Sequence, residues 1–315
     1  MRQRSLPGTD LQLSIVGFGA WAAGGLWWGD DVRDDEVVAA MRRAFDLGIN
    51  WVDTAPLYGH GHADRLVVQA LAGRKDIVVA TKVGVRWDGE GSHARSDLSP
   101  AWLRADVDAS LQRLGVACID LLQIHWPDEA GVPLAESLGT LEDLRREGKF
   151  RHLGLSNYDG AGMQEASLHS RLASLQTPYS MLRREFEAEL QPWCITHPLG
   201  VVAYEPLCRG LLTGKFTATH RFPESDLRQR DERFQGTRYL RALTLVSRLE
   251  LIAKRLSVPT AALALGWALR QPGLTAVIAG AKRPAQVDAH ARVTEVLERE
   301  EVWPDVDRIV ASFRG

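Results

Sequence analysis

The feature that most constrains this chain is strict alternation. Short apolar or β-branched runs and longer amphipathic segments follow one another from end to end. Strands are expected at residues 13–17, 50–53, 77–82, 119–124, 152–155, 173–176, 201–204 and 275–278. Helices are expected between and after them, at about 35–47, 63–71, 100–114, 134–147, 160–170, 187–196, 238–256 with 261–270, and 284–297. Ser99-Pro100 marks one helix start, because serine suits the cap and proline the first helical position. Eight strand–helix units in strict order imply a parallel sheet. Eight units over 315 residues match a closed barrel in count and length. A doubly wound open sheet would carry a glycine-rich turn after its first strand, and Gly17-Phe18-Gly19 lacks the third glycine at that spacing. The expected fold is therefore α/β: a (β/α)8 TIM barrel forming one domain over residues 1–315. It should have a short N-terminal strand or hairpin and an extended loop after strand seven. Residues 215–239 within that loop are charged and irregular, so they read either as a functional cover or as a solvated excursion.

Composition narrows the partners. The formal charge of −2 leaves no basic excess for nucleic acid or an anionic membrane. Cys118, Cys194 and Cys208 are odd in number and widely spaced, which is neither a disulfide framework nor a zinc pattern. No apolar run approaches the roughly 20 residues that span a bilayer, and the first residues lack a signal-peptide core. The expectation is a cytoplasmic protein acting on a small molecule.

In a barrel the active site lies at the carboxyl ends of the strands, so the residues finishing each strand can be inspected together. Strand two ends in Asp53, with Tyr58 just beyond. Strand three ends in Lys82, strand four in His125, strand five in Ser156-Asn157, strand six in Gln176 and strand seven in Tyr204. Each alone has an ordinary structural explanation, but separate structural roles would not gather them on one rim. A lysine finishing the buried run IVVAT needs a counter-charge, and Asp53 on the adjacent strand is the candidate. A tyrosine beside that ammonium should have its pKa lowered from about 10, which suits a proton donor. An imidazole nearby can donate to a carbonyl oxygen and stabilise developing alkoxide charge. An acid and an oxyanion stabiliser without a nucleophile point to carbonyl addition; no G-x-S-x-G elbow is present. The hydride must then come from a cofactor.

These segments are recognisable together. Asn50-Trp-Val-Asp53-Thr-Ala-Pro-Leu-Tyr58-Gly59, Ala80-Thr-Lys82-Val-Gly, Asp120-Leu-Leu-Gln-Ile-His125-Trp126 and Gly148-Lys-Phe-Arg-His-Leu-Gly-Leu-Ser156-Asn157 resemble, in order, the signatures of the aldo-keto reductases. The resemblance runs from about residue 17 to residue 290 and is nearer to bacterial members acting on diverse aldehydes. It implies reduction of an aldehyde or ketone by NADPH, with Tyr58 as general acid, Lys82 tuning it, Asp53 pairing with Lys82 and His125 orienting the carbonyl. It implies that Ser156, Asn157 and Gln176 hold the nicotinamide carboxamide and that Tyr204 stacks on the ring. Gly19, Ala20 and Trp21 would approach the cofactor, with Asp53 below. The segment Glu205, Pro206, Leu207, Arg209 and Leu211 would meet the pyrophosphate, together with Lys215. Ala279, Gly280, Lys282, Arg283 and Gln286 resemble the segment that binds the 2′-phosphate, where two cations beside a helix N-terminus suit an anion. The pattern departs at Ala289 and His290, where many members place Glu-Asn against adenine. A monomer is the family's usual state.

Ten tryptophans are many for this length. Trp21, Trp28, Trp87 and Trp126 fall in loops after strands and are expected to wall the substrate pocket. Two other functions are weighed. His60-Gly-His62 with His125 raises a metal-dependent barrel hydrolase, but zinc ligands belong on strand ends and the last strand ends in Ala279-Gly280. A redox-sensing subunit, like the channel-associated aldo-keto reductases, would keep the cofactor and turn over slowly; no basic N-terminal extension supports it. No metal is expected.

Overall fold

In the computed structural model, which describes residues 1–87 and 93–313, eight parallel strands close into a barrel. They are Val16–Gly19, Trp51–Asp53, Val78–Val83, Ile119–Ile124, Phe150–Ser156, Ser174–Pro178, Gly200–Tyr204 and Leu274–Gly280, each hydrogen-bonded to its neighbours in chain order. Helices connect them on the outside, among them Asp34–Asp46, His62–Leu71, Pro100–Leu114 and Leu134–Arg146.

Period-two alternation builds the interior. Val52, Val79, Leu122 and Leu155 point outward into the helix-facing core. Trp51, Ala80, Leu121, Val202, Ala276 and Ile278 point inward and form a second cluster. Leu6, Leu11 and Leu13 plug that inner cluster from below. They belong to an antiparallel hairpin, Gln3–Ser5 with Gln12–Ser14. Trp51 lies across the barrel floor, its indole nitrogen donating to the Ser14 carbonyl at 2.8 Å. A methyl at Gly17 would sit 2.2 Å from that ring, so only glycine fits there.

Several boundaries differ from the sequence expectation. Residues 13 and 14 belong to the hairpin, and the first barrel strand begins at Val16. The largely apolar stretch 13–18 conceals the break, which is made by its one polar residue, Ser14, whose hydroxyl donates to the Val16 carbonyl. The helix expected at 187–196 is two short pieces, Glu185–Glu189 and Gln191–Thr196, with Pro192 in the first turn of the second. The one expected at 284–297 breaks at Arg292. Ser99 does precede a helix with proline in its first turn, but its hydroxyl makes no capping bond.

Residues 215–239 form a cover anchored over the carboxyl end of the barrel, with Lys215 and Arg228 lining the cavity and many of the other side chains solvated. Phe216, Phe222 and Phe234 pack edge to face within the cover. Trp28 pairs with Asp226 as an isolated bridge, and the Leu227 amide donates to the Trp27 carbonyl at 2.8 Å. The loop after strand one and the segment after strand seven are thus joined above the cavity.

Candidate active site

Alternation that sends Trp51, Val52 and Asp53 in, out and in also sends Lys82 and His125 into the barrel top. Asp53, Lys82 and His125 are buried there, at 3%, 1% and 6% exposure. The Lys82 ammonium has three hydrogens to donate and all have acceptors. Asp53 Oδ1 lies at 2.5 Å, Tyr58 Oη at 3.1 Å and the Thr54 carbonyl at 3.2 Å. Burial opposes the charge, yet Asp53 and Tyr58 outweigh it and hold the lysine pKa above its ordinary value. Because Tyr58 Oη accepts from Lys82, its own hydrogen is free to point into the cavity that Tyr58 lines.

The direction of the tyrosine's shift corrects the sequence expectation. Burial raises the Tyr58 pKa, and Lys82 offsets this only in part, with Asp53 adding to the rise. Tyr58 is therefore held protonated, the form a proton donor needs. Burial, with the Lys82 charge, pushes His125 well below its ordinary range. A neutral imidazole stands 5.9 Å from the Tyr58 ring, edge to face.

Asp53 Oδ2 accepts from the side-chain amides of Gln123 at 3.1 Å and Gln176 at 2.8 Å. Gln123 was not singled out from the sequence, although it lies two residues before His125 and so shares its inward face. Asp64, Thr54 and Arg113 also escaped notice. The Thr54 hydroxyl donates to Asp64 at 2.7 Å, and Arg113 pairs with Asp64 at 3.1 Å, fixing the turn whose carbonyl receives Lys82. Asn157 takes a left-handed backbone, φ 64°. Its amide donates to the His125 carbonyl at 2.9 Å and its oxygen accepts from the Tyr204 hydroxyl at 2.8 Å.

Above these groups lies a cavity of about 410 Å³. Of the expected cofactor residues, Gly19, Trp21, Asp53, Ser156, Asn157, Gln176, Tyr204, Glu205, Pro206, Leu207 and Arg209 line it. Lys215, Ala279, Gly280, Lys282, Arg283, Gln286 and His290 continue the lining. Ala20 and Leu211 do not; both are buried in the core, at 0% and 1% exposure. Trp21, Trp28 and Trp126 line the cavity, but Trp87 does not. Trp87 ends one strand of a small hairpin, Val85–Trp87 with Ala94–Ser96, and stacks on His60 at 5.3 Å. Trp27, from the same loop as Trp28, lines the cavity too, as do Asp31, Arg183 and Arg228, and these three charged residues were not expected.

The far end of the cavity is cationic. Lys282 donates to the Trp28 carbonyl and to Asp31, both at 2.7 Å, and Arg283 pairs with Glu36 at 2.9 Å. The backbone amides of Lys282 and Arg283 donate to Gln286 Oε1, which closes the start of the helix Pro284–Ala291. Lys215 has no carboxylate partner among the described residues, and burial with the charges of Arg228 and Lys282 lowers it to about 8. An ammonium with no carboxylate partner, set beside further cations on the cavity wall, fits an anionic cofactor. Burial lowers His290 to about 4, so it meets the cavity as a neutral ring.

Among the described residues, His60 and His62 join no cluster of metal-ligating side chains. His62 bonds Asp34 at 2.8 Å, and no group of three or more His, Cys, Asp or Glu among the described residues could hold an ion.

The model of the aldo/keto reductase family matches residues 15–311. This chain belongs to the aldo/keto reductase family. Among curated relatives it is 34% identical to aldo-keto reductase YhdN of Bacillus subtilis, over 99% of this chain and 94% of that one. It is 35% identical to the NADH-specific methylglyoxal reductase of Escherichia coli, over 91% of each. The glycerol dehydrogenase AKR11B4 of Gluconobacter oxydans superposes with a TM-score of 0.89 at 38% identity, covering 98% of this chain and 95% of that one. Aldo-keto reductase AKR11C1 of Bacillus halodurans, in its holo form, gives 0.77 at 31%, covering 94% and 91%. This aldo-keto reductase is thus an oxidoreductase that reduces a carbonyl group with a nicotinamide cofactor. No helix among its described residues is long and apolar enough to cross a membrane.

Proposed function

We propose that this aldo-keto reductase converts an aldehyde or ketone to an alcohol with NADPH, using Tyr58 as general acid. The observation that carries the reading is the hydrogen-bond direction at Lys82. With all three ammonium hydrogens committed, one of them to Tyr58 Oη, the phenol hydrogen is left for the cavity. A nicotinamide, when bound, would supply the hydride for the carbonyl carbon. Tyr58 delivers its proton to the carbonyl oxygen, and Lys82 stabilises the phenolate that remains. Neutral His125 donates a hydrogen bond to the same oxygen and fixes its position. Asp53, held by two glutamine amides, keeps Lys82 charged.

Gln176 and Ser156 face the place of the carboxamide, and Tyr204, tethered by Asn157, offers a ring for stacking. The preference for NADPH rests on Lys282 and Arg283 beside a helix start, with Lys215 as a further cation. A 2′-phosphate would take the place of Asp31 on Lys282. The relative from Escherichia coli, named as NADH-specific, makes this the point to test. Lys282→Ala with Arg283→Ala should weaken NADPH by about 10- to 100-fold more than NADH, the worth of one or two charge-assisted bonds. Asp31→Ala should strengthen NADPH. Equal losses for the two cofactors would remove the phosphate role. The reading also takes the protein as a monomer in the cytoplasm, a compartment that suits three unpaired cysteines.

A further inference from the structure

Cations line the cavity on every side, and most already hold a carboxylate. Arg209 pairs with Glu205, Arg228 with Asp226, Lys282 with Asp31, and Arg283 with Glu36. Two have no carboxylate or hydrogen-bonding side chain among the described residues: Lys215 and Arg183. They stand at opposite ends. The charges felt by Lys215 are those of Arg228, Lys282, Asp31 and Asp226, the end read as the cofactor's phosphate site. The Arg183 charge acts instead on Tyr204, which also feels Tyr58.

Arg183 is held in place by a tight turn rather than left on a loose loop. The Tyr179 amide donates to the Tyr204 carbonyl at 3.1 Å, tying the end of strand six to that of strand seven. Ser180 and Arg183 then exchange backbone hydrogen bonds at 3.0 and 3.1 Å, and the Leu182 amide donates to Ser180 Oγ at 3.2 Å. Tyr179, Ser180 and Met181 are all but inaccessible, so the turn is anchored in the core. Its neighbour Arg184 behaves differently. Arg184 makes two bonds to Glu187 and lies over the Trp267 ring at 5.7 Å, a structural role. Of two consecutive arginines, one braces the scaffold and the other presents an unsatisfied fork of donors to the catalytic end of the cavity.

Resting on the reductase reading above, we propose that Arg183 docks an anionic group on the substrate. The preferred substrates are then aldehydes or ketones bearing a carboxylate or phosphate a few bonds from the carbonyl. A guanidinium matches either oxyanion by two parallel hydrogen bonds. Trp21 and Trp126, which line the same cavity beside Tyr58 and His125, would take the carbon chain between anion and carbonyl.

The test compares matched pairs: succinic semialdehyde against butanal, and glyceraldehyde phosphate against glyceraldehyde. Wild-type kcat/KM should favour the anionic member of at least one pair by about tenfold or more, and the favoured pair identifies carboxylate or phosphate. Arg183→Ala should reduce that ratio by about 10- to 100-fold through KM, with Arg183→Lys restoring part of it. NADPH affinity, read by quenching of tryptophan fluorescence, should not follow the change. Equal efficiencies within both wild-type pairs would overturn the proposal. So would an unchanged ratio in Arg183→Ala, or a matching loss of NADPH affinity, which would move Arg183 to the cofactor. No turnover of any of the four aldehydes with NADPH or NADH would instead overturn the reductase reading, and the docking role with it.

Discussion

Replacing Lys82 by methionine separates what the buried ion pair does for the fold from what it does for chemistry. Lys82 and Asp53 are 1% and 3% exposed and bonded at 2.5 Å. Removing one partner of such a pair typically costs about 3–5 kcal/mol, because the other charge stays buried. Here Asp53 keeps two amide donors, Gln123 and Gln176, so the loss should fall at the lower end, about 3 kcal/mol. At roughly 2–4 °C per kcal/mol for a chain of this size or somewhat smaller, Tm should drop by about 6–12 °C. Adding Asp53→Asn removes the stranded charge, and most of that drop should be recovered. Activity should not recover. Without the ammonium the phenol loses the group that stabilises its anion, and turnover should fall by about 10²- to 10⁴-fold in the single and the double variant alike. Circular dichroism melts and the decay of NADPH absorbance with a reactive aldehyde measure the two effects independently. Turnover in Lys82→Met within about threefold of wild type would refute the role assigned to the ammonium. Recovery of turnover in the double variant would show that the lysine acts only by neutralising Asp53.

Three further outcomes follow from the same geometry. With Tyr58 raised by burial and His125 already neutral, kcat for reduction at saturating cofactor should be flat from about pH 6 to 9 and fall only in the strongly alkaline range as the phenol ionises; an inflection near neutrality would contradict it. Lys215, lowered to about 8, is charged below that pH and neutral above it, so NADPH affinity should weaken as pH rises through this value; a titration of Kd against pH checks it, and a constant Kd would place the phosphates elsewhere. Gly17→Ala drives a methyl into the Trp51 ring, which should cost about 1–3 kcal/mol of overpacking, and Trp51→Leu in the same chain should relieve it; melts of the three variants decide.

Most of the barrel could be read from the chain because its strands are largely buried on both faces and most of them run into polar residues at their carboxyl ends. Asp53, Lys82, His125 and Gln176 stood out for that reason. Gln123 was equally legible, since period two places it beside His125, but a glutamine inside a strand draws less notice than a residue ending one. Trp87 was misplaced because its three-residue strand turns back as a hairpin, and no local signal says which way such a hairpin leans. The start of strand one was hidden in a run interrupted by one small polar residue, Ser14, whose hydroxyl makes the break. Arg183 and Arg228 carry no sequence signal of their own. Their roles arise from which charged neighbours already have partners, and only three-dimensional pairing decides that. The sign of the Tyr58 shift is of the same kind: the favourable ammonium was visible in the chain, whereas the depth of burial opposing it was not.

The central claim is that Tyr58 supplies the proton. Its most direct test is the single-turnover rate of aldehyde reduction by Tyr58→Phe preloaded with NADPH, measured beside the Kd for NADPH. The account predicts a rate lower by at least about 10²-fold with the Kd unchanged. A rate within a few-fold of wild type at the same cofactor occupancy would contradict it.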